Sequence, residues 1–325
     1  IRSNPTVLTK YALGAGLLEL RKKIASRYNK LGCQLKAEDI LITNGATHAI
    51  TLALQASTTS GDWVLVESPT YFGFLQILES LKLNVVSIAI DPNYGLEHEH
   101  LVSVIEQSAS ENITIKACML QANFQNPTGC SIKSSMRSKI LDTFYQNKII
   151  VIEDDTFGEL PHDSIETRPP PLKTKDKYNN VILCGSLSKL ISPGLRIGFI
   201  NGAVMHEQIK TLHHATSIGC AELPQHIMSH IYPRRFNTML GKLLSDYKDN
   251  ANMIRALILK YFPIGTSATI FEGGYLLWVT LPNNIDTNRL FDKALEQYGI
   301  SFAPGSIFSL TLEHQNALRI NCSSF

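Results

Sequence analysis

Five short apolar runs, each followed by a polar cluster and then by a helix-like stretch, constrain this chain more than any other feature. The runs are Ile-Leu-Ile (40–42), Val-Leu-Val (64–66) and residues 85–90, 115–120 and 149–152. Runs this short, rich in Val and Ile, read as strands buried on both faces. The intervening stretches carry apolar residues at helical spacing. Met136, Ile140, Leu141 and Phe144 share one helix face, with a cap expected at Ser134 or Ser135. Such alternation predicts an α/β fold with a mostly parallel sheet sandwiched by helices. Ligands of these sheets sit beyond the carboxyl ends of the strands. The polar clusters that follow the runs are therefore expected to meet at one edge.

Two further apolar runs, 181–184 and 197–200, bracket Gly-Ser-Leu-Ser-Lys (185–189) and Pro-Gly-Leu-Arg (193–196). A helix is expected from Leu17, with Leu20, Ile24 and Leu31 on one face and Gly32 at its end. Beyond Pro224 the rhythm changes. A long helix is predicted over 243–262, a strand over 271–281, a helix over 290–298 capped by Gly299, and a strand over 317–321. This describes a smaller α+β domain, completed by the first thirty-odd residues. We divide the chain into an N-terminal segment 1–33 that contributes to the small domain, a large domain 34–224, and residues 225–325, a long linking helix and the small C-terminal domain. Residues 168–171, Arg-Pro-Pro-Pro, read as a rigid surface loop.

The chain has 325 residues, 44% hydrophobic and 18% charged, which is the composition of a globular protein with a large core. A formal charge of +2 gives no electrostatic reason for this chain itself to bind nucleic acid. Cys33, Cys118, Cys130, Cys184, Cys220 and Cys322 occur singly, and we read them as reduced thiols of a cytoplasmic protein. The histidines show no ligand spacing, so no metal is expected, and His213-His214 reads as a polar helix face. No apolar run approaches the roughly 20 residues that span a bilayer.

Lys189 is placed between two buried strands. It reads either as a loop lysine or as an amine whose burial beside other cations lowers its pKa and fits it to form a Schiff base with an aldehyde cofactor. The hydroxyls beside it and Arg196 together suit a phosphate. Gly45-Ala46-Thr47 is a strand-to-helix turn, either a plain helix start or an anion site. Asp154 ends a buried run and is either a solvated strand end or the partner of a protonated pyridine nitrogen. Asn126 is a turn asparagine or a donor to a phenolate on that ring, and Tyr71 is core packing or a ring stacked on the cofactor. Arg319 is a surface cation or a clamp for a carboxylate.

Asn-Gly-Ala-Thr (44–47), Glu-Ser-Pro-Thr-Tyr (67–71), Asn-Pro-Thr-Gly (126–129), Glu-Asp-Asp (153–155), Gly-Ser-Leu-Ser-Lys (185–189) and Pro-Gly-Leu-Arg (193–196) stand in this order. With them the chain resembles the fold-type-I enzymes that use pyridoxal 5′-phosphate (PLP), in the class I/II aminotransferase branch. The resemblance implies that Lys189 is catalytic and holds PLP as an internal aldimine. It implies that Ala46, Thr47, Ser186, Ser188 and Arg196 hold the phosphate, that Asp154 meets the ring nitrogen and Asn126 the 3′ oxygen, and that Tyr71 covers the ring. Arg319, with Asn126 beside it, would bind the substrate. It implies a homodimer with the site at the interface, segment 1–33 contributing to that interface and Tyr11 reaching the neighbouring subunit's phosphate. Phe157 stands where this family usually has a tyrosine.

Arg-Pro-Pro-Pro-Leu-Lys (168–173), Gly-Gly-Tyr-Leu-Leu-Trp-Val (273–279), Ala-Pro-Gly (303–305) and Leu-Arg-Ile-Asn (318–321) narrow the likeness. They resemble the aminotransferase-like effector domains of MocR-type regulators of the GntR superfamily. That implies a domain that senses PLP or an amino compound, with DNA bound only through an N-terminal winged helix-turn-helix that this chain does not contain. A stand-alone aminotransferase, moving an amino group between an amino acid and a 2-oxo acid, is the other reading.

Overall fold

The computed structural model describes residues 9, 13–232, 234–311 and 313–323. The first element among the described residues is α1 (Leu18–Asn29), in which Leu20, Ile24 and Tyr28 lie one turn apart and are buried together. After it, β1 (Ile40–Thr43), α2 (Ala46–Ser57), β2 (Trp63–Ser68), α3 (Phe72–Ser80), β3 (Asn84–Ala89), α4 (His98–Ser110), β4 (Ile115–Leu120), α5 (Ser134–Gln146) and β5 (Ile150–Asp154) follow in strict alternation. Next come β6 (Val181–Ser186), β7 (Gly198–Asn201), α6 (His206–Ser217), α7 (Glu222–Ile231) and the 28-residue α8 (Arg234–Tyr261). The chain ends with β8 (Ser267–Ala268), β9 (Leu276–Thr280), α9 (Thr287–Tyr298), β10 (Ala303–Pro304) and β11 (Ala317–Asn321).

Seven strands form the large sheet in the order β1-β7-β6-β5-β4-β2-β3. The pairs among β2 to β6 are parallel, as expected for strands joined by helical crossovers. Residues 187–197, with no crossover helix among them, join β6 to β7, and β7 returns antiparallel, with Ser186 opposite Gly198. Strand β1 is antiparallel to β7 in turn, and two reversals leave it pointing the same way as β6. The carboxyl ends of β1, β2, β4, β5 and β6 therefore share one edge, together with the start of β7. Helices cover both faces: the cluster around α2 and α3 fills one, and those around α1 and α4–α5 fill the other.

The second sheet has four strands in the order β10-β11-β9-β8, all antiparallel. Its core joins Ile254 and Ile258 of α8 to Leu277, Val279 and Leu318. Helix α1 packs instead with Ile42, Phe199, Met228 and Leu244, among β1, β7, α7 and α8. Pro224 lies inside α7, in its first turn.

Several local expectations are corrected. The first helical residue of α5 is Ser134; Lys133 holds the N-cap position and neither serine caps by its side chain. The strand expected over 271–281 begins only at Leu276. His213 is buried, not on a polar face; its Nε2 lies 2.9 Å from the Ile42 carbonyl, which can only accept, so that nitrogen carries the proton. Residues 168–171 are not a free surface loop, because Arg168 is buried in an ion-pair cluster. Its guanidinium pairs with Asp155 and lies 3.2 Å from Glu159. Helix α1 closes the cluster: Tyr28 donates to Asp155 at 2.8 Å and Arg27 pairs with Glu159 at 2.6 Å.

Candidate active site

A cavity of about 580 Å³ opens at the shared carboxyl edge of the large sheet. Ala46, Thr47, Tyr71, Asn126, Asp154, Ser186, Ser188, Lys189, Arg196 and Arg319 all line it. Every candidate from the sequence is thus brought together except Tyr11, which lies outside the described residues.

One end is built for an anion. Gly45 turns β1 into α2 with φ of 83°, and the first N–H groups of the helix, which have no intrahelical partner, begin at Ala46. The Arg196 guanidinium lies against that turn, donating to the Asn44 carbonyl at 3.4 Å. A Cβ on Gly45 would stand 2.5 Å from the Arg196 Nη2, so any other residue there would push the guanidinium away from the turn. Gly198 repeats the requirement on β7, since a Cβ would stand 2.4 Å from the Gly45 carbonyl carbon. The Ser186 hydroxyl accepts from the Ser188 N–H at 3.1 Å, and the Ser188 Oγ is buried with no hydrogen-bond partner. A guanidinium, a helix N-terminus and an unpartnered hydroxyl converge on one space, an arrangement complementary to a phosphate dianion.

The other end holds a carboxylate on a network. Asp154 is 6% exposed, and burial pushes it up to about 6, while hydrogen bonds from Thr156 and Gln121 pull the other way. Gln121 Nε2 donates to Asp154 Oδ2 at 2.8 Å, and Thr156 donates its N–H to Oδ1 at 3.0 Å. Gln121 Oε1 in turn accepts from the Asn126 N–H at 2.9 Å. The Asn126 amide oxygen accepts from Arg319 Nη1 at 3.0 Å, which leaves the amide's two N–H donors for the cavity. Arg319 stands on β11 opposite Trp278, 5.1 Å above the Phe308 ring, and its Nε is buried without a partner. Burial lowers its proton affinity, although a guanidinium remains charged. A ligand carboxylate would satisfy that free N–H.

Tyr71 is the residue before α3, in edge contact with Phe74. Its ring lies over Gly73, where a Cβ would meet it at 2.4 Å. Phe157 is buried beside the cavity and meets the Tyr275 ring edge-on at 5.4 Å. Lys189 departs from expectation: its side chain is exposed and faces the cavity, because the turn after β6 leaves the sheet before reaching it. Gln121, Thr156 and Tyr275 escaped the reading of the sequence. The signal for Gln121 was its place immediately after β4, and for Thr156 its spacing two residues after Asp154, where a hydroxyl residue closes a local turn. Tyr275 stands in the Gly-Gly-Tyr-Leu-Leu-Trp-Val run (273–279), which was read only for its resemblance and given no place in the site.

Among the described residues, no group of three or more His, Cys, Asp or Glu is placed to hold a metal, and no helix is long and apolar enough to cross a membrane. The chain is 32% identical to the HTH-type transcriptional regulator YdcR of Escherichia coli (strain K12), over 95% of this chain and 64% of that protein. It is also 32% identical to the HTH-type transcriptional regulator YjiR of the same organism, over 99% of this chain and 67% of YjiR. The chain thus spans about two thirds of the length of these relatives. Its fold matches the kynurenine aminotransferase of Pyrococcus horikoshii, solved in complex with PMP, with a TM-score of 0.89 and 26% identity over 97% of this chain and 78% of that one. The model of the family "Aminotransferase class I and II" matches residues 3–324, and the chain belongs to that family.

Proposed function

We propose that this chain is the PLP-binding effector domain of a MocR-type transcriptional regulator, with Lys189 carrying the cofactor. The observation that carries the cofactor assignment is the unpartnered Ser188 hydroxyl beside Arg196 and the start of α2, a cradle lacking only its anion. Bound there, PLP supplies an aldehyde that captures amino groups and a ring that withdraws electrons from them. Ala46 and Thr47 would hold the phosphate by their N–H groups, Ser186 and Ser188 by hydroxyls, and Arg196 by charge. Asp154 would keep a proton on the ring nitrogen, Asn126 would donate to the 3′ oxygen and Tyr71 would cover the ring. Arg319 receives the carboxylate of an amino acid ligand.

The regulatory reading is supported by the helix-turn-helix regulators that this chain matches over nearly its whole length. DNA would be bound by a winged helix upstream of residue 1. The domain would work as a homodimer with the cavity at its interface, segment 1–33 contributing and Tyr11 reaching the partner's phosphate. Residues 34–224 would form the large domain and 225–325 the linking helix and small domain. Six free, buried thiols agree with a cytoplasmic location. The second reading, an aminotransferase acting on an amino acid and a 2-oxo acid, would use the same cavity, with Arg319 holding the carboxylate of either.

The test uses the full-length protein loaded with PLP. DNA affinity that changes with an amino compound, without turnover, supports the regulator. Turnover of an amino acid and a 2-oxo acid at about 1–1000 per second, with no DNA binding, overturns it in favour of the enzyme.

A further inference from the structure

Behind the cavity, at the end of β2, lies a second carboxyl that the proposed binding of PLP does not use. Glu67 is 1% exposed. Its Oε2 accepts from the backbone N–H of Gln121 at 3.1 Å, while its Oε1 is buried with no hydrogen-bond partner. Gln121 is also the residue whose side chain donates to Asp154 and accepts from the Asn126 N–H. One residue therefore touches Glu67 with its backbone and the cavity's carboxylate with its side chain.

We propose that Glu67 is a positioning residue for Asp154: through Gln121 it fixes where that carboxylate stands, and its own charge decides how firmly a proton is held at the Asp154 site. The proposal rests on the reading of Asp154 as the partner of the ring nitrogen.

Burial pushes Glu67 up to about 8, Asp154 adds to the rise, and the hydrogen bond from the Gln121 backbone N–H opposes it. The other titratable groups facing it are Cys118 on β4 and Cys130 in the loop after β4. Burial raises both thiols, Cys130 to about 12, so they stay neutral, and no cation acts on Glu67 from the described residues. Because Oε2 accepts from Gln121, the unpartnered Oε1 is the oxygen that carries the proton. Asp154 titrates at about 6 and Glu67 at about 8, so between these values one negative charge occupies the network. Above about 8 Glu67 releases its proton to solvent. A second negative charge then favours a proton at the Asp154 site and on a ring nitrogen paired with it.

The test is Glu67→Gln, which keeps the size and the acceptor for Gln121 and removes the titrating proton. Absorbance of the PLP-loaded protein is followed from about pH 6 to about pH 10, and thermal unfolding of the PLP-free protein is followed across the acid to alkaline range. The two proteins are expected to agree below about pH 8, and only the wild type to show a spectral transition there. Wild-type stability is expected to fall as pH rises from 4.5 to about 8, because the folded carboxyl keeps a proton that the unfolded chain has released. Glu67→Gln should lose the part of that fall above about pH 6, keeping the part that Asp154 contributes below it. Gln121→Met, which cuts the hydrogen-bonded link and leaves both charges, should weaken the spectral effect of Glu67→Gln. A spectrum displaced equally at every pH, or unchanged by Glu67→Gln, overturns the proposal. If the wild type takes up no PLP, the cofactor reading fails; the proposal then fails as well only if Glu67→Gln unfolds in parallel with the wild type at every pH.

Discussion

The Arg319 guanidinium donates to the amide oxygen of Asn126 at 3.0 Å, and this hydrogen bond joins the small sheet to the loop after β4 of the large one. It also fixes which end of the amide faces the cavity, so a residue of the small sheet orients a donor beside the large one. Arg319→Lys keeps the charge and loses the planar fork. We predict that it weakens the response of the PLP-loaded protein to amino acids by about tenfold to a hundredfold, the worth of a charged hydrogen bond. Amines without a carboxylate should respond as before. Titration followed by absorbance checks both.

The anion end gives a second prediction. At Gly45 a side chain would face both a φ of 83° and the Arg196 guanidinium at 2.5 Å. Gly45→Ala is expected to destabilise the fold by about 1–3 kcal/mol through backbone strain. It should also raise the dissociation constant for PLP at least about tenfold by displacing Arg196. Thermal unfolding and equilibrium dialysis measure the two effects separately.

How much of this was legible follows from the kind of information each feature uses. The strand-helix alternation fixed the large sheet and its binding edge, because parallel strands buried on both faces leave continuous apolar runs such as residues 115–120. Lys189, Asp154 and Asn126 were visible because they stand at, or a few residues beyond, the ends of those runs. Arg168 was misread because a run of prolines looks exposed, whereas its burial depends on Asp155, Glu159 and α1, which are distant in sequence. Glu67 and Gln121 were passed over for the same reason: their link joins the ends of β2, β4 and β5 and leaves no local pattern.

That buried cluster yields a third prediction. Arg168→Met would leave Asp155 uncompensated beside Tyr28, and breaking a buried pair from one side costs about 3–5 kcal/mol. The midpoint of denaturant unfolding should fall accordingly. Replacing Lys177, which pairs with Asp142 at 3.8 Å on the surface, should leave it nearly unchanged.

Asp154 supplies a pH dependence. Its folded value of about 6 lies above the ordinary 3.8, so protonation stabilises the PLP-free protein at low pH and that contribution is lost as pH rises from 3.8 to about 6. Cofactor binding runs the other way, because pairing with a protonated ring nitrogen needs the ionised carboxylate. PLP affinity is expected to fall as pH is lowered through about 6, and Asp154→Asn should remove the dependence. Dialysis at a series of pH values reads it directly.

The central claim is that Lys189 anchors PLP. Borohydride reduction of the PLP-loaded protein, followed by peptide mass mapping, should find a phosphopyridoxyl group on the peptide containing Lys189, and Lys189→Ala should carry none. A label on another lysine, or none in the wild type, would contradict the account.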